Sequence, residues 1–381
     1  MEEVRKKIIV NSICIINCFD TYEHRVDILH DYFKTKGMSV TVYVSNFRHF
    51  KKKIRDDHKI DYRYIEAMQY KKNLSISRIK SHIKFSKDVF KEVRKGKYDL
   101  IWILIPPNSL IKEAARYKNE HCDVKMIFDI IDIWPETMPF SFFKHSTFFQ
   151  YWKMLRDSYV DVADSIVVEC ALYKTVLPKK ICEDKINILY LAKKVNKFTH
   201  SYNLDDKKIA LCYLGSINNI IDIQTISKII SYLNEHQPVV LNIIGDGEKK
   251  DELIRRAIDA GAEVVDHGII YDSVRKREIL NSCHYGLNIM KKNVVVGLTM
   301  KSIDYFESGI PIINNIKGDT WDICNEKKVG INVDENFKNN VLDYDERMRI
   351  NSRNFFENYL SLDAFEYKVD NIIKQMERKS K

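Results

Sequence analysis

The sequence predicts an α/β protein built from two successive doubly wound halves. Apolar runs of strand length alternate with amphipathic stretches of helix length, which is typical of a parallel sheet covered on both faces. This alternation stops at residues 196–206, which lack periodicity, and then begins again. At 381 residues, the chain is long enough for two domains that each have a hydrophobic core.

The first half contains a series of apolar runs that predict buried strands. The predicted strands are residues 7–18, 39–45, 100–105, 125–131, 165–168 and 185–191, with a short β-like segment at 62–67. The predicted helices are residues 25–36, 76–95 and 108–119. A further helical stretch at 140–159 is rich in aromatic residues, so it either packs in a core or rests on a bilayer interface.

The second half repeats the pattern with its own strands and helices. Its predicted strands are residues 208–214, 239–244, 263–266, 285–290 and a run that begins at Pro311. Its predicted helices are residues 221–236, 249–260, 273–282 and 299–308, followed by a helical tail at 351–375. We therefore predict a first domain at 1–195, a linker at 196–206, a second domain at 207–350 and a C-terminal tail at 351–381.

The stretch from residue 293 to residue 315 carries the clearest indication of chemistry. A loop containing Gly297 leads into a helix whose N-cap is Thr299, and Lys301 lies in the first turn. Backbone N–H groups at a helix start, with a nearby ammonium group, suit a diphosphate. Asp304 lies three residues after Lys301 and suits the hydroxyls of a ribose. The alternative is that Lys301 and Asp304 form a solvated surface pair.

Positive charge is concentrated in the first half of the chain. Residues 1–195 hold 36 Lys and Arg against 25 Asp and Glu, whereas residues 196–381 hold 26 against 28. Residues 34–97 alone hold 19 basic and 6 acidic side chains. This asymmetry favours an anionic partner, and an anionic membrane surface fits better than nucleic acid, because no nucleic-acid-binding module accompanies the charge. Solvated lysine-rich helix faces are the alternative reading.

The cysteines and the N-terminus indicate a cytoplasmic protein. The eight cysteines lie mostly within apolar segments without C-x-x-C spacing, which is typical of reduced core thiols. The apolar run near the N-terminus is interrupted by Asn11, Ser12 and Asn17, and it lacks a small-residue cleavage site. We therefore interpret this run as a buried first strand.

Several motifs, in order along the chain, resemble those of the GT-B glycosyltransferases, and among them those of the retaining, metal-independent family 4. The similar segments are residues 129–136 (DIIDIWPE), 213–216 (YLGS), 244–248 (IGDGE), 266–271 (DHGIIY) and 300–311 (MKSIDYFESGIP). The first resembles a D-x-x-D-x-W-P-E segment found in enzymes of capsule, O-antigen and exopolysaccharide assembly. The last resembles the pattern x-K-x-x-E-Y-x-x-x-G-x-P.

The resemblance implies two Rossmann-like domains with a cleft between them and a C-terminal helix that crosses back to the first domain. It also implies transfer of a hexose-type sugar from a nucleotide sugar, with a UDP-sugar favoured. The acceptor would be a glycan, lipid-linked in this reading, at the inner face of the cytoplasmic membrane. No metal or other cofactor is expected, since nothing resembles a D-x-D metal site.

The resemblance assigns the donor site to the second domain. The donor-binding residues that it implies are Gly215, Ser216, Gly245, Asp246, Gly268, Ile269, Tyr271, Gly297, Leu298, Thr299 and Asp304. Residues 268–271 would lie against the base and Asp304 against the ribose. Amides near Gly215 and at 297–299, together with Lys301, would stabilise the leaving diphosphate.

Two positions depart from the family pattern. Val296 stands where family 4 often has a glutamate that contacts the donor sugar, so that contact would fall to the backbone of Gly297 and Leu298. Ser216 stands where many members have an arginine, which leaves Lys301 as the best cation for the diphosphate.

Three residues of the first domain are candidates for the acceptor side, because they lie in loops that follow predicted strands. Asp132 would orient or deprotonate the attacking hydroxyl, or would instead cap a loop backbone beside Trp134. His24 and Arg25 would bind an acceptor phosphate, or would be solvated helix residues. Two other functions remain open, namely a nucleotide-sugar epimerase of the same fold and a degenerate transferase that acts as a partner subunit.

Overall fold

The computed structural model describes residues 10–73, 75–137, 146–195, 202, 204–334 and 344–379. The described residues form two compact units. Unit 1 comprises Met1–Leu191 and Phe365–Lys381, and unit 2 comprises Ala192–Ala364. Of the predicted linker, residues 196–201 and 203 lie outside the described part, as do Phe142 and Phe143 of the aromatic stretch.

Unit 1 contains a seven-stranded sheet in which every pair of neighbouring strands is parallel. Its strands are β1 (Ser12–Asn17), β2 (Ser39–Ser45), β5 (Tyr62–Ile65), β6 (Leu100–Ile105), β7 (Lys125–Ile130), β8 (Ser165–Val168) and β9 (Ile186–Ile188). A small antiparallel ribbon joins β3 (Phe47–Arg48) to β4 (Lys53–Ile54). The sheet order is β5-β2-β1-β6-β7-β8-β9, so β1 and β6 lie near its centre.

Helices cover this sheet because the apolar strands between them must be buried on both faces. They are α1 (Glu23–Thr35), α2 (Ile76–Val93), α3 (Ser109–Glu120) and α4 (Thr147–Asp157). The central strand β6 has the sequence LIWILI, and all six of its residues are buried. An uninterrupted apolar run of this kind is what a parallel strand requires.

Unit 2 contains a six-stranded parallel sheet of order β12-β11-β10-β13-β14-β15. Its strands are β10 (Ile209–Leu214), β11 (Val239–Ile244), β12 (Glu263–Asp266), β13 (Tyr285–Asn288), β14 (Ile312–Asn314) and β15 (Gly330–Asn332). Its helices are α5 (Ile223–Asn234), α6 (Lys250–Asp259), α7 (Ser273–Asn281), α8 (Met300–Glu307), α9 (Asp319–Lys327) and α10 (Arg347–Phe355). The predicted alternation of strands and helices is therefore confirmed in both halves.

The C-terminal tail, predicted to be helical over residues 351–375, consists of two α-helices. Helix α10 continues into a π-helical turn at Phe356–Leu360, and α11 (Leu362–Lys379) begins after Ser361. Ser361 has extended backbone and forms a parallel bridge with Lys193, which interrupts the helix. The Ser361 hydroxyl also accepts a hydrogen bond from Ala364 N at 3.1 Å, so it caps the new helix.

The C-terminal helix returns to unit 1, as predicted. From Phe365 onward α11 belongs to that unit. The Tyr32 hydroxyl of α1 donates a hydrogen bond to Asp370 Oδ1 at 2.5 Å. The Arg25 guanidinium lies 5.4 Å from the ring centre of Phe365, which is a cation–π distance.

Helix α9 and strand β15 were not predicted from the sequence. Strand β15 is only three residues long, which is too short for a recognisable periodic pattern. Within the described residues, none of the helices combines the length and the apolar character that a membrane-spanning helix needs.

Candidate functional site

The carboxyl ends of β10 and β13 mark a topological switch point in unit 2. In the sheet order, β11 and β12 lie on one side of β10, whereas β13 and the later strands lie on the other. Loops that leave neighbouring strands in opposite directions open a crevice, and open α/β sheets bind ligands there. The loops that begin at Gly215 and after Asn288 therefore border the expected binding crevice.

Three of the predicted glycine turns meet at this edge. Gly215 N donates to Ile244 O at 2.9 Å, and Gly245 N donates to Gly268 O at 2.8 Å. A Cβ atom on Gly245 would lie 2.0 Å from Gly215 O, and Gly245 also has φ +152°. Only glycine therefore allows these turns to approach so closely.

The second glycine of the G-D-G segment has the same role. A Cβ atom on Gly247 would lie 2.3 Å from Ile217 O. Ile217 N donates to Asp246 O at 2.9 Å, and Lys249 N donates to Ile217 O at 2.9 Å. These bonds fix the chain after β10 against the chain after β11, with Ser216 and Asp246 exposed on the surface of the paired turns.

The loop before α8 is fixed on both of its sides. The Thr299 side chain accepts a hydrogen bond from Ser302 N at 3.2 Å, which is the predicted N-cap. Its hydroxyl donates to Asn288 Oδ1 at 2.8 Å, which ties the helix start to the end of β13. Gly297 O accepts from Thr320 N at 3.0 Å and from the Thr320 hydroxyl at 2.5 Å. Helix α9, missed by sequence reasoning, therefore holds the loop in place.

Lys301 is mostly buried at the start of α8 and lies against β10. Its Nζ is 3.4 Å from the Tyr213 hydroxyl and 4.5 Å from the centre of the Tyr213 ring. Burial lowers the pKa of Lys301 to about 8. Within the part of the chain that the structure describes, no carboxylate forms an ion pair with this ammonium group. A buried amine without a counter-ion favours binding of an anion.

Tyr213 connects Lys301 to the first glycine turn. The Tyr213 hydroxyl donates to Ser216 O at 2.9 Å, so the ring that contacts Lys301 also supports the turn after β10. Lys301, Thr299 and the Gly215–Ser216 turn thus belong to one connected set of contacts. These are residues that the sequence assigned to the diphosphate.

Asp304 already interacts with two lysines of the same unit. Lys193 Nζ donates to Asp304 Oδ1 at 2.5 Å and also contacts Glu307. Lys276 Nζ lies 3.6 Å from Asp304 Oδ2. These side chains line a small cavity of about 140 Å³ between α7 and α8. The carboxylate predicted for the ribose is therefore already surrounded by two ammonium groups.

The residues predicted to frame the base lie at the surface. Ile269 is 56% exposed and Tyr271 is 91% exposed, so neither is needed for the core. Gly268, directly before Ile269, has φ +66° and accepts the hydrogen bond from Gly245 N. Exposed apolar side chains beside a fixed turn provide a surface on which a planar base can stack.

Arg25 is a structural residue of unit 1, which corrects its assignment to an acceptor phosphate. It is 2% exposed, and its Nε and Nη2 each donate to Asp129 at 2.8 Å. Its Nη1 donates to Leu189 O at 3.0 Å, and Trp102 Nε1 donates to the same carboxylate at 2.8 Å. A bidentate pair with satisfied donors leaves nothing to bind a ligand. His24, the neighbouring residue, is exposed in the first turn of α1.

Asp132 lies just beyond the carboxyl end of β7 and is partly buried. It accepts hydrogen bonds from Trp134 Nε1 at 2.6 Å and from the Thr137 hydroxyl. Burial raises the pKa of Asp132 above its ordinary value, although both hydrogen bonds act in the opposite direction. Both donors are side chains of the loop that follows β7, and they fix the direction of the Asp132 carboxylate.

Glu169 is a candidate that sequence reasoning missed. It directly follows β8, and its N–H donates to Ile130 O of β7 at 3.2 Å, so it adjoins the edge that carries Asp132. Burial, and then the charges of Asp132 and Asp129, raise the pKa of Glu169 to about 8 against the effect of Arg25. Its signal in the sequence was a lone acid at the end of an apolar strand.

Two tyrosines adjoin this pair of carboxyl groups. Burial, followed by the charges of Asp132 and Glu169, raises the pKa of both Tyr22 and Tyr173. The carboxyl edge of unit 1 therefore gathers four titratable side chains. As for metals, the described residues contain no cluster of three or more His, Cys, Asp or Glu side chains suited to hold an ion.

Solved structures resemble this chain over nearly its whole length. Sucrose-phosphate synthase from Thermosynechococcus elongatus matches 97% of this chain and 100% of its own, with a TM-score of 0.66 at 11% identity. Anabaena HepE in complex with UDP matches 95% and 99%, with a TM-score of 0.65 at 11% identity. The lipopolysaccharide outer core galactosyltransferase WaaB matches 95% and 99%, with a TM-score of 0.63 at 12% identity.

No protein-family model matches the chain, and no curated protein matches it. The structural likeness, together with the two parallel sheets, confirms the predicted fold class. The chain has the GT-B fold, with two Rossmann-like domains and a C-terminal helix that returns to the first.

Proposed function

We propose that the chain is a retaining glycosyltransferase that moves a sugar from a nucleotide sugar to a glycan acceptor. The observation that carries this proposal is Lys301, a mostly buried ammonium group at the start of α8 that pairs with no carboxylate of the described residues. The fixed turns after β10 and β11 lie beside it. This arrangement supports binding of an anionic leaving group at the switch point of the sheet.

The chemistry follows from the charges that develop during transfer. Cleavage of the bond between the sugar and the diphosphate leaves negative charge on the diphosphate and positive charge on the anomeric carbon. Groups fixed beforehand around the phosphates lower the barrier, because they need no rearrangement as the charge appears. In this proposal Lys301 and the amides near Gly215 and Gly297–Thr299 supply that stabilisation.

A bound diphosphate would also act as the counter-ion of the Lys301 ammonium group. The ammonium form is disfavoured by burial, which lowers its pKa to about 8. A nearby dianion favours the charged form, so binding raises the pKa and holds the proton on Lys301. Uptake of a proton on binding near pH 8 is the expected signature.

The nucleotide is proposed to be UDP, with Asp304 at the ribose. HepE, which shares the fold, has been solved with UDP and with UDP-glucose, and this supports the choice. Lys193 and Lys276 flank Asp304 and hold its carboxylate in a fixed direction. The ribose hydroxyls would donate hydrogen bonds to those lone pairs of the Asp304 carboxylate that do not accept from the two lysines.

The acceptor side is proposed to lie at the carboxyl edge of unit 1. Asp132 would accept a hydrogen bond from the attacking hydroxyl, and Glu169, protonated at neutral pH, would donate one to a neighbouring sugar oxygen. His24 is exposed close to this edge and remains proposed for an acceptor phosphate. The basic first half would hold the protein at the inner face of the cytoplasmic membrane, where a lipid-linked glycan of surface polysaccharide assembly would be the acceptor.

The test is a transfer assay with a panel of UDP-sugars and lipid-linked oligosaccharide acceptors, in which released UDP is measured. We expect one donor to release UDP only when an acceptor is present. Lys301→Ala should lower the rate by about a hundredfold, the usual effect of removing one oxyanion-type contact worth about 3 kcal/mol. Lys327→Ala, an exposed lysine of unit 2, serves as the matched control.

Incubation with the donor alone separates the alternatives. An epimerase of the same fold would produce a second nucleotide sugar without any acceptor. A degenerate partner subunit would neither release UDP nor bind a nucleoside diphosphate. Retention is checked by the anomeric configuration of the product.

A further inference from the structure

A second cavity lies in unit 2, beyond the carboxyl ends of the last three strands of its sheet. It has a volume of about 690 Å³. Met290 and Lys291 line it after β13, Asn315 and Ile316 after β14, and Val333 after β15. The start of α5 forms the remaining side. Cavities of roughly 300–1,000 Å³ are typical of small-molecule sites.

Hydrogen bonds fix the walls of this cavity. Asn315 Oδ1 accepts from Met290 N at 2.8 Å, and Asn315 Nδ2 donates to Met290 O at 2.8 Å. Lys291 N donates to Ile220 O at 2.9 Å, which fastens the loop after β13 to the chain before α5. Walls held in this way are ordered before any ligand binds, so the entropy cost of ordering them does not weaken binding.

The charge of the lining is positive. Four lysines and two aspartates line the cavity, namely Lys228, Lys291, Lys292, Lys317, Asp222 and Asp334. Asp222 caps α5, and its carboxylate accepts from Thr225 N at 3.0 Å and from the Thr225 hydroxyl at 2.8 Å. The four lysines outnumber the two aspartates, and a concave surface with an excess of positive charge attracts anions.

The floor of the cavity adds an apolar surface. Met290 and Val294, which line it, are partly exposed, so their side chains are accessible to a ligand. Apolar side chains beside ammonium groups suit a ligand with a less polar face and an anionic substituent. A sugar ring that carries a phosphate has both features.

We propose that this cavity binds a phosphorylated sugar. The site goes beyond the proposed transferase function, because none of the residues assigned to the leaving diphosphate lines it. The phosphate contacts the lysines, and the ring lies on the apolar floor. Its source is either a free sugar phosphate or a phosphate within a glycan chain, and both present the same chemistry to the lysines.

The experiment measures binding by calorimetry at low salt with three probes. Hexose 6-phosphate represents a free monoester, a methyl hexosyl phosphodiester represents a glycan chain, and the unmodified hexose is the neutral control. The double variant Lys228→Gln and Lys291→Gln changes the lining. The double variant Lys207→Gln and Lys327→Gln removes the same charge from exposed positions of the same unit that do not line the cavity.

We expect at least one phosphorylated probe to bind, the neutral hexose not to bind, and the lining variant to weaken binding by about tenfold, as for two exposed charge contacts. Tighter binding of the monoester identifies a free sugar phosphate as the source, and tighter binding of the diester identifies a glycan chain. The control variant should bind as the wild type does.

The proposal is overturned if neither phosphorylated probe binds, if the neutral hexose binds equally well, or if both double variants behave alike. UDP binding is measured in parallel and should be unchanged in the lining variant. Failure of the transferase proposal would appear as absent UDP binding, so the two results are distinguishable.

Discussion

At the scale of single residues, the two buried cations Lys301 and Arg25 differ in what accompanies them. Arg25 donates to Asp129 through two nitrogens and is satisfied within the core of unit 1. Lys301 contacts only an aromatic ring and a hydroxyl among the described residues. Losing the partner of a buried charge is strongly destabilising, so Arg25 depends on Asp129, whereas a buried charge that has no partner lowers stability and is typical of a functional site.

Replacing Lys301 by methionine should therefore raise the thermal stability of the protein at pH 7 while weakening nucleoside diphosphate binding. Burial lowers the pKa of Lys301 from 10.5 to about 8, so below pH 8 the buried ammonium group destabilises the native state. This penalty is relieved as the pH rises from about 8 to 10.5, because the folded protein releases its proton before the unfolded chain does.

Melting temperatures of wild type and Lys301→Met across pH 6 to pH 11 check this, with the difference largest below pH 8. A variant that is less stable at pH 7 would show that Lys301 has a structural role. The matched control is Lys327→Met, which removes an exposed ammonium group from the same unit.

Glu169 should make the protein less stable as the pH rises. Burial and the neighbouring aspartates raise the pKa of Glu169 from 4.5 to about 8, so the folded state keeps a proton that the unfolded chain has lost. The stabilisation is complete below pH 4.5 and is lost as the pH rises to 8. Glu169→Gln should match the wild type at pH 4 and exceed its stability at pH 8.

Denaturant titrations of both proteins at the two pH values measure this effect. Equal stability at pH 8 would mean that the Glu169 carboxyl ionises freely in the folded protein. Glu183→Gln, an exposed glutamate of the same unit, controls for the change in net charge.

At the scale of elements, the start of α8 depends on contacts from β13 and α9. Thr299 caps the helix and also donates to Asn288, while Thr320 holds Gly297 from the other side. The loop is thereby fixed by parts of the chain that precede and follow it. Sequence reasoning found the cap from the residue type, but it did not find Thr320, because that contact depends on a helix it did not predict.

Thr299→Ala should lower the free energy of unfolding by about 1 kcal/mol, the usual effect of losing a side-chain N-cap. It should also weaken UDP binding, because the amides of the loop are no longer held in place. Thr299→Ser keeps the hydroxyl and should retain most of both properties. Chemical denaturation and calorimetry of the two variants measure these effects, and equal UDP affinity in Thr299→Ala would separate the cap from the binding site.

Gly245→Ala should destabilise unit 2 more than the substitution of another glycine with positive φ, Gly37, destabilises unit 1. The added Cβ would lie 2.0 Å from Gly215 O, whereas a Cβ on Gly37 would meet nothing within 4 Å although φ is +77°. Gly37→Ala should therefore lower stability by about 1 kcal/mol through backbone strain alone, and Gly245→Ala by about 3 kcal/mol through strain and overlap together. Comparable unfolding free energies for the two variants would contradict the close approach of the turns.

At the scale of the whole molecule, the order of strands and helices could be predicted from the sequence, because the spacing of apolar residues indicates each element. The run LIWILI of β6 is apolar throughout, which predicts a buried strand. The return of the last helix to the first unit came only from the family resemblance. The break at Ser361 was not predicted, since helix propensity continues across it and the interruption comes from a bridge to Lys193, far away in the chain.

The candidate site was less predictable than the fold, because side-chain partners lie far apart in sequence. Arg25 and Asp129 are separated by more than a hundred positions, and no local pattern joins them. Lys193 and Asp304 likewise come together only in the folded chain. Glycine turns were easier to find, since the backbone requires glycine there whatever its partners are.

The most direct test of a diphosphate site at Lys301 is calorimetric titration of UDP into the wild type and Lys301→Met at pH 8, where Lys301 of the free protein is only partly protonated. We expect one UDP to bind per wild-type chain, with proton uptake, and the affinity to fall by about a hundredfold in the variant if this contact is worth about 3 kcal/mol. Equal affinity in the two proteins, or no binding of UDP to the wild type, would contradict the proposal.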